Sequence, residues 1–122
     1  MIRGIGIDIT DVKKLKSAAK RNKRFLSRVF NAQEIKYCSG KKNSALHFAG
    51  RFAVKEAFIK AVSDVKGIAL NSISTTNDKN GRPEIIITAE IKKIMAAKKA
   101  KSILITISHT DTAAAAVCIL EG

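Results

Sequence analysis

The first ten residues, MIRGIGIDIT, alternate between apolar side chains and small or polar ones. Ile5, Ile7 and Ile9 occupy one side of this segment, and the intervening positions hold glycines and Asp8. A period of two residues is the pattern of a β-strand. We therefore predict an N-terminal strand with one apolar face. Asp8 lies on the opposite face, together with the glycines.

Helical spacing follows this strand. Residues 12–30, VKKLKSAAKRNKRFLSRVF, show helical periodicity that is interrupted by the polar residues 20–23, which indicates two short helices or one bent helix. Asn31 followed by Glu34 is the signature of a capping box, and it opens a helix that we expect to end near Gly40.

The remaining chain predicts an alternation of helices and strands. Ser44 is a candidate cap for a helix that runs to about Val62. The segments NSISTTND and PEIIITA read as strands around the pair Asn80-Gly81, which favours a hairpin. A basic helix and two strands complete the order with the segments EIKKIMAAKKA, SILITIS and AAAAVCIL. The pattern as a whole is that of an α+β protein.

Glu56 lies in the middle of GRFAVKEAFIKA, a segment whose helical projection is apolar nearly all round. We expect this carboxylate to be at least partly buried, which is costly for a charged group unless something compensates it. One compensation is an ion pair with Lys60 four residues later. The other is a divalent cation shared with a second carboxylate, for which Asp8 is the natural candidate. One or two carboxylates with water and phosphate oxygens are the usual ligands of Mg²⁺.

Composition sets the class of protein. A chain of 122 residues with 46% hydrophobic content fits one globular domain over residues 1–122. The longest uncharged stretch late in the chain, Thr112 to Leu120, is too short to span a membrane, so we expect a soluble protein without a targeting segment. Cys38 and Cys118 are far apart and lack the spacing of a zinc site, which predicts reduced, packed thiols and favours the cytosol.

The charge balance points to an acidic partner. Lys and Arg number 23 against 10 Asp and Glu, a formal net charge of +13. One candidate is therefore a small basic nucleic-acid-binding module. Five Phe, one Tyr and no Trp, without a zinc signature, an RNP-like motif or a clear helix-turn-helix, give that candidate little support. A second candidate, a non-catalytic scaffold domain, would be expected to lack Asp8, Glu56 and Lys60.

Four motifs occur in order along the chain: GIGIDIT, GRFAVKEAFIKA, NGRP and ISHT. In a chain of this length they resemble the small bacterial holo-acyl-carrier-protein synthases, over essentially the whole sequence. The resemblance implies a 4′-phosphopantetheinyl transferase fold, with antiparallel strands packed against a long central helix, in a homotrimer with active sites at the subunit interfaces. It also implies Mg²⁺-dependent transfer of phosphopantetheine from coenzyme A to a serine of apo acyl carrier protein, in cytoplasmic fatty-acid biosynthesis.

The resemblance assigns the central chemistry to three residues. Asp8 and Glu56 match the metal-binding carboxylates of the family, and Lys60 matches the lysine that reaches the coenzyme A phosphates. A compact ammonium suits the charge that develops on the departing oxygen. Our hypothesis is that Glu56, directly or through a water molecule, accepts the proton of the carrier serine.

The resemblance also implies two binding surfaces. The coenzyme A surface combines residues of the central helix, the hairpin and the strand end near the C terminus: Arg51, Lys60, Asn80, Gly81, Arg82, Pro83, Ser108, His109 and Thr110. Within it, Arg51 matches the family's arginine near the 3′-phosphate. The carrier-protein surface consists of cations around one aromatic ring: Lys14, Arg21, Arg24, Phe25 and Arg28. From the residues alone, turn chemistry and a structural histidine also explain the residues of the coenzyme A surface. A solvated charged face also explains those of the carrier-protein surface.

Three positions stand outside these matches. Lys14 occurs where the family usually has arginine, which removes a bidentate fork and keeps the charge. The segment VSDVKGIAL replaces the family's Gly-Thr-Gly loop, and only Gly67 offers comparable backbone freedom. His47 matches no motif, and we expect it to be an ordinary core or surface histidine.

Overall fold

The structure is a computed structural model that describes residues 1–122. Its elements in chain order are β1 (Ile2–Asp11), α1 (Val12–Arg21), α2 (Phe25–Val29), α3 (Ala32–Ser39), α4 (Ser44–Val62), a 3₁₀ turn (Leu70–Ser72), β2 (Thr75–Asn77), β3 (Pro83–Ile85), α5 (Ala89–Ala97), β4 (Ser102–His109) and β5 (Ala113–Glu121). An antiparallel sheet has the strand order β1-β5-β4, and β2 pairs with β3 separately. The predicted fold class, antiparallel strands packed with a long central helix, is confirmed.

Helix α4 forms the centre of the molecule, and its apolar surface contributes to two clusters of buried side chains. The first cluster joins α4 to the sheet and α5, around Phe58, Ile91 and Leu120. The second joins α4 to α1, α2 and α3, around Phe30 and Phe48, whose ring centroids lie 4.9 Å apart. Because α4 is covered on both sides, it needs the nearly all-apolar circumference seen in its sequence.

Strand β1 lies on α4 through its glycine face. A Cβ added at Gly6 would overlap the carbonyl of Ala57, so the backbones of the strand and the helix are in direct contact. Ile5, Ile7 and Ile9 point away from the core and are 63%, 58% and 71% exposed. The predicted strand is therefore present, and its apolar face is the outer one.

Local capping explains most of the helix boundaries. Asp11 caps α1 by accepting from the backbone N–H of Lys14 at 3.1 Å, and Asn31 and Glu34 form the predicted capping box of α3. The prediction that Ser44 caps α4 is wrong. Asn43 occupies the capping position, because its carbonyl accepts the first turn's hydrogen bond from Leu46 N–H at 3.0 Å.

The predicted hairpin is present, with strands of only three residues each. The Asp78 carboxylate accepts from the backbone N–H groups of Asn80 at 2.8 Å and Arg82 at 2.9 Å, and Gly81 adopts a positive φ of 81°. Asp78 thus sets the turn together with the glycine.

Cys38 and Cys118 are both free and buried, as predicted. None of the helices combines the length and apolarity needed to cross a membrane.

Candidate active site

Asp8, Glu56 and Lys60 meet where β1 lies across α4. The Lys60 ammonium donates to the carbonyl of Ile7 at 2.9 Å and lies 3.5 Å from Oδ1 of Asp8. The hydroxyl of Thr10 donates to Oδ2 of the same carboxylate at 2.9 Å. The ion pair considered from the sequence, between Glu56 and Lys60, does not form. Lys60 reaches across to the strand instead.

Glu56 is half-buried and has no hydrogen-bond or ion-pair partner. Burial raises the pKa of this carboxyl group, the negative charge of Asp8 raises it further, and the Lys60 ammonium opposes both effects. The two carboxylates therefore repel each other, and one ammonium balances them incompletely. A divalent cation between them would relieve that repulsion.

The residues fit a Mg²⁺ site of the usual kind. No group of three or more His, Cys, Asp and Glu side chains comes together anywhere in the structure to hold a metal. Two carboxylates would leave most coordination positions to water and substrate oxygens, which is how Mg²⁺ is commonly bound. Asp8 and Glu56 are the residues that would hold it.

The carboxylates open onto a cavity of about 280 Å³ between β1, α1 and α4. Its wall includes Lys14 and Phe25, two members of the predicted carrier-protein surface. It also includes Phe52, whose ring lies beside that of Phe25. The ring centroids of Phe25 and Phe52 lie 6.5 Å apart. Phe25 is half-buried, whereas Arg21, Arg24 and Arg28 are exposed. The predicted carrier-protein surface and the predicted metal ligands therefore adjoin in space.

A second polar cavity, of about 170 Å³, lies on another side of α4. Arg51 forms part of its wall. Its guanidinium lies 4.4 Å from the centroid of the Tyr37 ring, and only 6% of the residue is exposed. Its Nε atom is buried without a hydrogen-bond partner. A buried guanidinium donor without an acceptor calls for an explanation, and binding of an anion by this guanidinium is one that the cavity allows.

Two histidines share this cavity with Arg51. One is His109, the predicted member, and the other is His47. Burial lowers the pKa of His47, and the charges of Lys41, Arg51 and His109 lower it further. Sequence reasoning missed His47. The available signal was its spacing, because residues 47 and 51 are four apart and share one face of α4.

Other predicted coenzyme A residues lie elsewhere in the structure. Ser108 is on the outer face of the sheet, because side chains alternate along β4 and His109 faces inward. Thr110 organises the turn before β5, where its Oγ1 accepts from the N–H groups of Thr112 and Ala113 at 3.2 Å. The hairpin residues 80–83 line neither cavity. Their roles toward coenzyme A stay predictions.

Comparison with known proteins identifies the family. A model described as the 4′-phosphopantetheinyl transferase superfamily matches residues 4–118. The chain belongs to this superfamily. It is 39% identical to the holo-[acyl-carrier-protein] synthase of Geotalea daltonii, with 99% of each chain covered. The family predicted from the four motifs is thus confirmed.

Solved structures of such transferases share the fold. The holo-[acyl-carrier-protein] synthase of Neisseria meningitidis superimposes with a TM-score of 0.91 at 26% identity, and the match covers 100% of both chains. The enzyme of Helicobacter pylori, solved in complex with coenzyme A, gives a TM-score of 0.81 at 31% identity over 96% of this chain and 99% of that one. The transferase described here therefore has its family's architecture over its whole length.

Proposed function

We propose that this transferase moves the 4′-phosphopantetheine group of coenzyme A to a serine of apo acyl carrier protein, with adenosine 3′,5′-bisphosphate as the leaving product. The observation that carries the proposal is the meeting of Asp8, Glu56 and Lys60 at the contact of β1 with α4, beside the predicted carrier-protein surface. Relatives that match along the full chain are named holo-[acyl-carrier-protein] synthase, which supports the same reaction.

Each residue has a distinct part in the reaction. Asp8 and Glu56 hold Mg²⁺, which when bound supplies Lewis-acid polarisation of the pyrophosphate. Lys60 places its ammonium beside the pyrophosphate, where it stabilises the negative charge that develops on the departing oxygen. Glu56 lies on the cavity wall next to Phe25, where the carrier serine enters, and it accepts the serine proton directly or through a water molecule.

Coenzyme A extends from this centre to the Arg51 cavity of a neighbouring subunit. Arg51 and His109 bind the 3′-phosphate, and the hairpin residues 80–83 with Ser108 and Thr110 complete the nucleotide surface. The buried, partnerless Nε of Arg51 supports this assignment. The two cavities of one subunit have no lining residue in common, which supports binding between subunits.

A homotrimer supplies those interfaces. The outer face of the sheet presents large apolar side chains that nothing in the subunit covers, including Ile7, which is 58% exposed, and Leu104, which is 52% exposed. Exposed apolar patches of this kind mark association surfaces. Ile7→Asp is expected to yield a smaller species in sedimentation velocity and to lose activity with it, whereas an unchanged mass would argue against this face.

The carrier protein docks on the cations Lys14, Arg21, Arg24 and Arg28, with Phe25 as the apolar contact. The arginines are exposed, and together they present a basic surface toward an acidic partner. The place of the reaction is fatty-acid biosynthesis in the cytoplasm, a setting that suits the two free, buried cysteines. The nucleic-acid-binding alternative has no support in the comparisons, which match transferases.

Intact-mass spectrometry tests the reaction. Apo acyl carrier protein is incubated with the transferase, coenzyme A and Mg²⁺, beside an Asp8→Ala reaction and a reaction without metal. We expect a mass gain of one phosphopantetheine with the wild type, and no gain in either control. Absence of any gain with several carrier proteins and a folded sample would refute the proposed function.

A further inference from the structure

An ion pair between Lys55 and Glu34 lies fully inside the molecule and takes no part in the proposed reaction. The ammonium is 2.7 Å from Oε1 of Glu34, and the two side chains are 0% and 2% exposed. Lys55 also donates to the carbonyls of Leu70, at 2.9 Å, and Ile73. Removing two charges from water is costly, and apolar residues often replace such pairs without loss of stability. Stability alone therefore does not account for the pair.

The pair lies next to Arg51. Lys55 follows Arg51 by one turn of α4, and Glu34 and Arg51 both line a cavity of about 300 Å³ between α3 and β2. Glu34 is the single carboxylate on the walls of this cavity. The smaller cavity, which holds His109, has no carboxylate on its walls. It is thus the side chain best placed to form an ion pair with the Arg51 guanidinium.

That ion pair does not form, and both oxygens of Glu34 are engaged by other donors. Oε1 accepts from Lys55 and from the backbone N–H of Asn31 at 3.2 Å, and Oε2 accepts from the N–H of Thr75 at 3.5 Å. Arg51 stays without a carboxylate partner, and its Nε has no acceptor. A guanidinium beside an uncommitted carboxylate would form a strong charge-assisted pair, which an incoming phosphate would have to break.

We propose that Lys55 is a positioning residue that keeps Glu34 from pairing with Arg51, and so leaves the guanidinium available to the 3′-phosphate of coenzyme A. The inference rests on the proposed function for the identity of the anion. Lys55 acts through Glu34 and does not itself contact the ligand.

Calorimetric binding of two nucleotides that differ by one phosphate isolates this effect. The wild type is expected to bind adenosine 3′,5′-bisphosphate about 10- to 100-fold more tightly than adenosine 5′-monophosphate, the range for hydrogen bonds to a charged group. Lys55→Met frees Glu34 to pair with Arg51, and we expect most of that preference to disappear.

The double variant Lys55→Met/Glu34→Gln separates electrostatic from structural action. The glutamine side chain retains the capping box of α3, since Gln serves at this position as well as Glu, and it cannot form an ion pair with Arg51. We expect the preference for the bisphosphate to return. If Lys55 only anchored the segment around Leu70 and Ile73, the double variant would stay as poor as Lys55→Met, and the proposal would be overturned.

A control and a fallback complete the test. Lys98→Met removes the lysine of the more exposed pair with Asp64 and is expected to leave the preference unchanged; a loss like that of Lys55→Met would count against the proposal. If Lys55→Met does not fold, Lys55→Gln replaces it: a preference lost in Lys55→Gln and restored in Lys55→Gln/Glu34→Gln supports the proposal, and a preference retained in Lys55→Gln overturns it. A wild type without any preference, or without transfer activity, would instead refute the proposed function on which the inference rests.

Discussion

Lys60 on α4 lies 3.5 Å from the carboxylate of Asp8 on β1 and does not pair with Glu56, although Glu56 is one turn away on the same helix. The difference matters because Glu56 is left without a direct partner, while burial and the negative charge of Asp8 raise its pKa. The site as a whole holds two carboxylates against one ammonium. Its charge thus favours a cation placed between strand and helix.

Glu56→Gln is expected to stabilise the metal-free protein at neutral pH, by about 2 to 5 °C in the midpoint of thermal unfolding. The amide removes the repulsion from Asp8 and the cost of burying a charge. The same variant is expected to lose the rise in midpoint that Mg²⁺ produces in the wild type, since bound ligand stabilises only a protein that binds it. Differential scanning fluorimetry with and without Mg²⁺ measures both effects.

Glu84→Gln is the matched control for this experiment, because Glu84 is an exposed carboxylate on β3. It should change neither the metal-free midpoint nor the response to Mg²⁺. A Glu56→Gln protein that still gained the full stabilisation from Mg²⁺ would remove Glu56 from the metal site.

Gly6→Ala is expected to destabilise the fold by about 1 to 3 kcal/mol, the usual cost of forcing a methyl group into a packed core. The added Cβ would meet the Ala57 carbonyl and push β1 away from α4. Because Asp8 follows on the same strand, transfer activity should fall by more than the loss of folded protein explains. Urea unfolding and initial rates, compared at equal folded fraction, test this.

Gly40→Ala supplies the contrast. A Cβ at Gly40 would lie 3.5 Å from the nearest atom, an ordinary contact, and its φ of −80° suits any residue. We expect it to be neutral or slightly stabilising, by about 0.4 to 1 kcal/mol. Equal destabilisation by both substitutions would show that the close approach at Gly6 is not what limits stability.

Local features of the sequence predicted much of the fold. The capping box at Asn31 and Glu34, the turn at Asn80-Gly81 and the extent of α4 all depend on interactions within a few residues of each other. The outward orientation of Ile5 could not be predicted in the same way. Alternation gives the period of a strand, and only the contact of Gly6 with α4 decides which face is inside.

The candidate site was predicted to a similar degree. The motif matches named Asp8 and Glu56, and the structure brings the two together. Helical spacing could not reveal that Lys60 turns to the strand, because that choice depends on the carbonyl of Ile7, which is distant in sequence. His47 was missed since a single histidine matches no motif, and its cavity is assembled from five separate elements.

Binding of adenosine 3′,5′-bisphosphate is expected to raise the pKa of His47. In the free protein, burial and the nearby cations lower this pKa below the ordinary value of 6.5. Protonation of His47 therefore lowers the free energy of unfolding as the pH falls below 6.5. A bound phosphate would offset that loss, because its negative charge favours the protonated imidazole. It follows that protonation of His47 should strengthen binding of the bisphosphate as the pH falls through this range, while protonation of the phosphate itself acts in the opposite direction.

NMR titration of the histidine Hε1 resonances, assigned with His47→Gln, measures the pKa directly. Adenosine 5′-monophosphate is the control ligand, and it should produce a smaller shift because it lacks the 3′-phosphate. An unchanged His47 pKa with the bisphosphate bound would place the phosphate outside this cavity.

Arg24→Glu is expected to raise the KM for acyl carrier protein about 5- to 10-fold at low salt and to leave the KM for coenzyme A nearly unchanged. Arg24 is exposed at the start of α2, beside Phe25, and its charge acts on the approach of an acidic protein. Added salt should raise the wild-type KM for the carrier more than that for coenzyme A, and should narrow the difference in carrier KM between the variant and the wild type.

Lys93→Glu makes the same change in net charge on an exposed position of α5 and should alter either KM by less than about twofold, since a distant surface charge is screened. Equal effects of the two reversals would mean that overall charge, and not this surface, attracts the carrier protein.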